Sequence, residues 1–153
     1  MQARAAMTRR VLCLGPDDTL QDAHLLMTQH RVRHVPVINE ADGERRLIGI
    51  LSDRDVLRHG TLVDGLLLVP PLPLGEVCTP EPYTCALTST VAHVAGLMLD
   101  HRIDAVPVVR ADGVLLGLIT STDLLELLRE PGEHEGKLLP FTFELHREAR
   151  AAA

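Results

Sequence analysis

The feature that most constrains the fold is an internal repeat, because most of the chain matches itself when it is shifted along its own sequence by one nearly constant offset. The offset that relates Thr19 to Thr90 also relates Met27 to Met98, His30 to His101, and the tripeptide Val35-Pro36-Val37 to Val106-Pro107-Val108. A slightly smaller offset relates Gly49 to Gly117, so the first copy has a longer connection before its glycine. A repeat of this kind predicts two similar folding units.

Each copy shows the same succession of hydrophobic patterns. Apolar residues recur every three or four positions after Thr19 and after Thr90, which predicts an amphipathic helix with a capped start. Two short apolar runs joined by an Asp-Gly turn follow and indicate a β-hairpin, and a second helical pattern comes next. The predicted helices are 20–30, 53–59, 91–101 and 121–130, and the predicted hairpin strands are 35–38, 47–51, 106–109 and 114–119. With a short leading strand in each copy, both units are predicted as β-α-β-β-α, in the α/β class.

The chain divides into four segments on this pattern. We assign residues 5–60 to the first unit, 61–74 to a linker, 75–130 to the second unit and 131–153 to a tail. The linker is broken by prolines but strongly apolar, so it either packs across the sheets or contacts a second copy of the chain. The tail is polar except for an apolar stretch at 138–145, which either adds a strand or depends on a partner.

The junction between the last strand and the last helix carries the same residues in both copies. Ser52 precedes Asp55 by three positions, and Thr120 precedes Asp123 by three. Such a junction can place a phosphate on free helix amides and a ribose on the carboxylate, but it is also an acceptable helix-capping box. Both copies keep a glycine three positions before the hydroxyl, where a close-approaching ligand or neighbouring strand would need one. The repetition favours a nucleotide receptor.

Charge and aromatic content argue against nucleic-acid binding. The formal net charge is −6 and the isoelectric point is near 5.7, whereas a nucleic-acid surface needs a basic face. Two Phe, one Tyr and no Trp leave few rings on which bases could stack. We therefore expect any bound base to lie between aliphatic side chains.

The cysteines and the absence of long apolar runs indicate a cytoplasmic protein. Cys13, Cys78 and Cys85 are odd in number and lack metal-ligand spacing, so neither a disulfide framework nor a zinc site is expected. No run approaches the length of a membrane span or of a signal peptide. Cys13 is either a reactive thiol or a small buried hydrophobe.

No motif in the chain indicates catalysis. The eight histidines show no repeated ligand spacing, and His30 and His101 fall at helix ends, where a positive charge suits the helix dipole. Nucleophile elbows, phosphate-binding loops and dinucleotide fingerprints do not occur in the sequence. We expect a protein that is not an enzyme and that requires no metal or cofactor.

The double Val-Pro-Val strand and the double Gly-h-h-Ser/Thr-x-x-Asp junction, where h is apolar, resemble a tandem CBS-domain pair, or Bateman module, over roughly residues 5–130. The resemblance implies two modules related by a pseudo-twofold axis, packed as one unit that forms homodimers. It also implies that AMP, ADP, ATP or S-adenosylmethionine binds in clefts between the modules. Stand-alone pairs of this family sense the ligand and regulate another protein, here unknown.

The family's ligand-binding positions carry over onto matching residues of this chain. The resemblance assigns ribose to Asp55 and Asp123, and the accompanying hydroxyls and glycines to Ser52, Thr120, Gly49 and Gly117. It assigns phosphate-facing positions to Arg54 and Thr122, the leading-strand position to Cys13 and Thr84, and the position before the strand proline to Arg33-His34 and Asp104-Ala105. Cys13 departs from the family pattern, because a threonine is common at that position.

The family's geometry, in which each cleft combines the two modules, predicts two unequal clefts. One joins Cys13, Arg33 and His34 to Thr120 and Asp123; its companion joins Thr84, Asp104 and Ala105 to Ser52, Arg54 and Asp55. Arg33 and His34 favour a polyphosphate, whereas Asp104 repels one unless Arg54 compensates. The alternative is a structural dimerisation scaffold with degenerate, empty clefts, in which the junction acids only cap helices.

Overall fold

The computed structural model of the chain describes residues 1–129. Its helices are α1 (Ala3–Ala6), α2 (Leu20–His30), α3 (Asp53–His59), α4 (Leu74–Val77), α5 (Val91–His101) and α6 (Ser121–Arg129). Its strands are β1 (His34–Ala41), β2 (Glu44–Ser52), β3 (Thr61–Val63), β4 (Leu66–Leu68), β5 (Thr79–Pro80), β6 (Ala105–Val109) and β7 (Leu115–Thr120). The predictions for the tail and for residue 130 lie outside the described residues.

The structure confirms the predicted α/β pattern of both copies. The Thr19 and Thr90 hydroxyls accept the backbone N–H of the third helical residue, and α2 and α5 end at Arg31 and Arg102 in the left-handed conformation. The strands β1 and β2 pair antiparallel, as do β6 and β7. The predicted Asp-Gly turns, Asp42-Gly43 and Asp112-Gly113, connect the two strands of each pair.

The leading strand of each copy, which was predicted to be short, consists of a single β-bridge. In the first copy it is one parallel bridge between Leu14 and Val37, and in the second one parallel bridge between Cys85 and Val108. Leu14 donates to the carbonyl of Pro36 and accepts from Ile38. In the first copy the residue two positions further along is Pro16, which has no N–H to extend the ladder. The second copy has Leu87 at that position, so proline does not explain its equally short strand.

Each module is completed by the segment that leads into the other copy. Ala3 of α1 is fully buried in the second core, beside Val94 and Val106. Leu74 of α4, the position that corresponds to Ala3 in the repeat, is fully buried in the first core. The chain therefore crosses between modules at its start and again after the linker, which brings residues from both copies to the same clefts.

Close approach of a neighbouring strand explains the two repeated glycines. A Cβ on Gly49 would lie 2.5 Å from Cys78 Sγ and 2.9 Å from the carbonyl oxygen of Thr79. A Cβ on Gly117 would lie 2.7 Å from Met7 Sδ and 2.9 Å from the carbonyl oxygen of Thr8. The missing side chain of each glycine leaves room for a crossing segment at the edge of the sheet, residues 78–79 beside Gly49 and residues 7–8 beside Gly117.

The linker contains a hairpin that the sequence analysis did not predict. The strands β3 and β4 pair through a turn at Asp64 and Gly65, whose φ angles are 49° and 80°. The Asp-Gly dipeptide between apolar runs is the usual mark of such a turn. Leu67, Val69 and Leu72 pack against the first core, whereas Leu62 and Leu66 are 72% and 69% exposed.

The tips of the two large hairpins join the modules at one end of the molecule. The Arg110 guanidinium forms ion pairs with Glu44 of the other copy and with Asp112. Arg46 donates to the carbonyl of Asp112, and the backbone N–H of Leu47 donates to the carbonyl of Gly113. These contacts hold the two sheets in one relative orientation.

Candidate functional site

Two clefts between the modules are related by the repeat almost position by position. The first, of about 270 Å³, is lined by Thr8, Arg10, Val11, Leu12, Arg31, Val32, Arg33, His34, Leu118, Thr120, Thr122 and Asp123. The second, of about 180 Å³, is lined by His34, Ile50, Ser52, Arg54, Asp55, Thr79, Pro82, Tyr83, Arg102, Ile103, Asp104 and Ala105. Each cleft thus combines the junction acid of one copy with the leading segment and first helix end of the other.

Most of the residues that the resemblance assigned to ligand binding lie in these clefts in the predicted groups. The exceptions are Cys13, Thr84, Gly49 and Gly117, which are not among the lining residues. Cys13 Sγ lies 3.5 Å from the carbonyl oxygen of Val11, and burial raises the pKa of its thiol. Because a raised pKa keeps the thiol protonated, Cys13 fits the description of a small buried side chain better than that of a reactive one.

Several cleft residues were missed by the sequence analysis. Thr8 and Thr79 each bring a hydroxyl to one cleft, whereas the leading-strand position was assigned to Cys13 and Thr84, with a hydroxyl only at Thr84. The repeat offset that relates Thr8 to Thr79 could have identified them. Arg31 and Arg102 line equivalent positions at the ends of α2 and α5. The repeat could not have identified Arg10, because the equivalent residue of the second copy is an acid, Glu81.

At each junction the carboxylate already caps the backbone. Asp55 Oδ2 accepts the Ser52 backbone N–H at 2.8 Å and the Ser52 hydroxyl at 2.9 Å. Asp123 Oδ2 accepts both the backbone N–H and the hydroxyl of Thr120 at 2.6 Å. Within residues 1–129, the other oxygen of each carboxylate has only a long contact, 3.4 Å to Arg58 for Asp55 and 3.5 Å to Thr8 for Asp123. One oxygen therefore serves the cap, and the second can accept a hydroxyl of a ligand.

The two clefts differ in charge. Among the described residues lining the first cleft, Arg10, Arg31 and Arg33 face a single acid, Asp123. In the second cleft Arg54 and Arg102 are matched by Asp55 and Asp104. The first cleft is therefore positively charged, and the second is close to neutral.

Arg54 and Asp104 form an ion pair in the second cleft. The sequence analysis had named Arg54 as the residue that could compensate the charge of Asp104. Arg54 Nη2 donates to Asp104 Oδ2 across the boundary between the two copies. The guanidinium is thereby engaged by a protein carboxylate. A phosphate in the second cleft would compete with Asp104 for the same donors.

His34 lines both clefts and is partly buried between them. Burial lowers its pKa, because desolvation disfavours the imidazolium form. The neighbouring charges act in both directions and come from Asp53, Arg33, Asp104 and Arg54. At neutral pH the side chain is a neutral polar group in the wall shared by the two clefts.

The chain's one tyrosine lies in the second cleft. The Tyr83 ring stacks on the imidazole of His101 with a centroid separation of 3.7 Å and an interplanar angle of 13°. A base bound in this cleft would therefore have an aromatic ring beside it, in addition to the aliphatic side chains that we expected. Tertiary packing brings Tyr83 to the end of α5, and its repeat counterpart in the first cleft is Leu12.

The described part of the chain also bears on metal and membrane binding. Between residues 1 and 129, no group of three or more His, Cys, Asp or Glu side chains is arranged to hold a metal ion. No helix in this range is long and apolar enough to cross a membrane.

Comparison with known families identifies the fold. The CBS domain model matches residues 3–61 and again residues 74–130. The chain belongs to the CBS-domain family, and its two copies form a Bateman module.

Two curated relatives show how this pair occurs in other proteins. Hypoxic response protein 1 of Mycobacterium tuberculosis is 30% identical over 130 residues, which cover 84% of this chain and 85% of that protein. The inosine-5'-monophosphate dehydrogenase of Korarchaeum cryptofilum is 30% identical over 140 residues, which cover 90% of this chain but 27% of that enzyme. The chain thus spans about a quarter of the dehydrogenase.

Solved structures of similar pairs contain adenosyl ligands. CBSX2, solved in complex with AMP, is 25% identical with a TM-score of 0.70, over 84% of this chain and 96% of that one. The CBS domain pair of protein MJ0100, solved with 5'-methylthioadenosine and S-adenosyl-L-methionine, is 22% identical with a TM-score of 0.71, over 84% of this chain and 96% of that one. At 22% identity, the likeness to the MJ0100 pair shows a shared fold and nothing further.

Proposed function

We propose that this chain is a regulatory module that binds adenine nucleotides or related adenosyl ligands and modulates a partner protein. The observation that carries the proposal is the pair of clefts, each of which combines a Ser/Thr–Asp junction from one copy with arginine-bearing segments of the other. The AMP complex of CBSX2 supports the choice of an adenosine ligand.

In the proposed binding mode the junction acid holds the ribose and the cleft arginines hold the phosphates. Asp55 and Asp123 each keep one carboxylate oxygen that makes only a long contact, which suits acceptance of a ribose hydroxyl. Arg33 and Arg10 supply donors for phosphate oxygens in the first cleft. The clefts contain no arrangement that we assign to catalysis, so the proposed activity is binding and regulation without turnover.

The proposal includes a homodimer formed through the helical faces. Leu57 of α3 and Leu125 of α6 occupy equivalent positions of the two copies, and both are more than 60% exposed, at 63% and 65%. An exposed leucine kept at the same place in both modules marks a surface that another protein surface would cover. A ligand that binds both modules would shift their relative orientation and, through this face, the surface presented to a partner.

The scaffold alternative is favoured by one specific observation: at both junctions the carboxylate accepts the backbone N–H of the residue that precedes the helix. A scaffold would need Asp55 and Asp123 for helix stability alone. Loss of such a cap costs about 0.5–2 kcal/mol whether or not a ligand is present.

Thermal unfolding with and without AMP, ADP, ATP and S-adenosylmethionine separates the two functions. An adenosyl ligand at 100 times its dissociation constant should stabilise the folded chain by about 2.7 kcal/mol. Asp55→Asn and Asp123→Asn should each reduce this ligand-dependent gain, because an amide is a poorer acceptor for ribose hydroxyls. Asp100→Asn, on the exposed side of α5, is the matched control and should keep the full gain.

If none of the four ligands stabilises the wild-type chain, the sensor function is wrong and the scaffold stands. If a ligand stabilises the wild type, Asp55→Asn, Asp123→Asn and Asp100→Asn equally, the junction acids do not hold the ligand.

A further inference from the structure

The two equivalent clefts carry different charged side chains at matching positions. Arg33 of the first cleft corresponds to Asp104 of the second, and Thr122 of the first corresponds to Arg54 of the second. These positions are related by the repeat, although the first cleft, of about 270 Å³, is larger than the second, of about 180 Å³. The two clefts therefore place different charges at equivalent positions of the repeat.

The arginines of the first cleft are available to an anion. In the described range 1–129, Arg10, Arg31 and Arg33 form no ion pair with a protein carboxylate. Arg33 and Arg31 come from the end of α2 and the turn after it, and Arg10 from the crossing segment. Donors from two sides of one cleft suit the several oxygens of a polyphosphate.

The second cleft is already neutralised by the protein. Asp104 engages Arg54, and the Asp55 carboxylate lies 3.4 Å from Arg58. A phosphate placed there would have to displace Asp104 from Arg54, because that carboxylate already occupies the guanidinium donors. A ligand without a polyphosphate needs no such displacement.

Tyr83 gives the second cleft a surface for a base that the first cleft lacks. His101 holds the ring by stacking, and about half of the side-chain surface, 49%, remains exposed. An aromatic ring held in place can stack on adenine without further ordering cost. This compensates for the missing phosphate contacts.

From these contacts we infer that the two clefts take adenosine ligands of different charge. The first takes a nucleoside polyphosphate such as ADP or ATP, and the second takes an adenosine derivative without a polyphosphate. This inference rests on the proposed function, because it divides the same adenosyl-binding clefts between two ligand classes. One chain would then report on both classes at once.

The first experiment is competition on the wild-type chain by isothermal titration calorimetry, with ADP and 5'-methylthioadenosine as probes. We expect ADP to bind one site per chain, and 5'-methylthioadenosine to bind the ADP-saturated chain with its affinity nearly unchanged. Equal ADP binding at both clefts, or full competition between the probes, would overturn the inference and leave the proposed function intact. If neither probe bound, the inference would be overturned, and the proposed function would be decided separately by thermal unfolding with AMP, ADP, ATP and S-adenosylmethionine.

Variants then assign each probe to its cleft. Arg33→Gln should weaken ADP binding about 10- to 100-fold, the usual cost of one hydrogen bond to a charged group, and leave 5'-methylthioadenosine unaffected. Tyr83→Leu, which copies Leu12 of the first cleft, should weaken 5'-methylthioadenosine binding about fivefold or more and leave ADP unaffected.

The most informative variant is Asp104→Asn, which frees Arg54. We expect it to create a second ADP site in the second cleft, so that the stoichiometry rises from one ADP per chain to two. Asp100→Asn, at a nearby position on α5 and outside both clefts, is the matched control and should stay at one. A stoichiometry that stays at one in Asp104→Asn would contradict the argument that this carboxylate excludes phosphate.

Discussion

At the scale of single residues, His34 links the folded state to pH. Burial lowers the pKa of its imidazole, so the unfolded chain binds the proton more readily than the folded chain does. The contribution of neutral His34 to stability is therefore complete above its ordinary pKa of 6.5 and is lost as the pH falls below that value.

We expect the free energy of unfolding to decrease between pH 7 and pH 5, and His34→Gln to make this decrease shallower. Urea unfolding at a series of pH values measures the slope. His59→Gln, at the exposed end of α3, is the control and should follow the wild-type curve. An unchanged slope in His34→Gln would show that other groups cause the acid sensitivity.

A second residue-scale prediction concerns two glycines with opposite surroundings. Gly117→Ala would place a Cβ 2.9 Å from the Thr8 carbonyl oxygen, and a backbone atom in a paired segment cannot move away. We expect a loss of about 1–3 kcal/mol, as for other overpacked sites. Gly96→Ala, inside α5 with no neighbouring side chain of the described residues within 4 Å of its Cβ, should gain about 0.5–1 kcal/mol.

Chemical denaturation of both glycine variants provides the comparison. Two variants with the same chemical change and opposite signs would show that the neighbouring segment, and not glycine flexibility, determines the cost. A tolerated Gly117→Ala would mean that residues 7 and 8 are not held against β7.

At the scale of elements, each of the short helices α1 and α4 packs in the core of the module other than the one it precedes in the chain. The helix α1 precedes the first copy but packs in the second core, and α4 precedes the second copy but packs in the first core. Leu74 of α4 comes after the hairpin of the linker, yet it belongs to the first core with Leu20 and Leu51. Leu66 of the neighbouring hairpin is 69% exposed.

We expect Leu74→Ala to cost about 2–5 kcal/mol, as other buried leucines do. The matched Leu66→Ala should stay within about 0.5 kcal/mol of wild type. Thermal unfolding of both variants tests the packing of this segment. Similar small losses for the two would show that α4 is not part of the core.

The hairpin tips supply a second element-scale contact, which depends on charge. Hydrogen bonds from Arg110 lower the pKa of the Asp112 carboxyl to about 2. This contribution to stability is present above the ordinary pKa of 3.8 and disappears as the pH falls from there to about 2. Because the Arg110–Asp112 pair is exposed to solvent, we expect its contribution to stability to be small at neutral pH and to be lost in strong acid.

At the scale of the whole molecule, the proposed homodimer follows from exposed leucines on both modules. Leu125 and Leu128 of α6 are 65% and 64% exposed on the same helix. Replacing both by glutamate would place charges in the proposed interface, where unpaired charges are strongly unfavourable.

We expect the double variant Leu125→Glu, Leu128→Glu to sediment as a monomer in analytical ultracentrifugation, at a concentration where the wild type is a dimer. Leu62→Glu with Leu66→Glu, on the exposed linker hairpin, is the matched control. If only the Leu62→Glu, Leu66→Glu variant became monomeric, the dimer would form through the linker hairpin. That is the contact with a second copy that the apolar composition of the linker allowed.

The sequence by itself determined the repeat, the two longer helical patterns and the hairpin of each copy, the two junction acids and the family, because residue spacing and self-similarity along the chain reveal each of these. Only the tertiary structure decided which segments meet. It showed Thr8 and Thr79 in the clefts where Cys13 and Thr84 were expected, and it paired Arg54 with Asp104. It also brought Tyr83 to the second cleft and set a neighbouring strand against each repeated glycine. The physical reason is that the chain crosses twice between its modules, and hydrophobic periodicity within an element carries no information about which distant segment will pack against it.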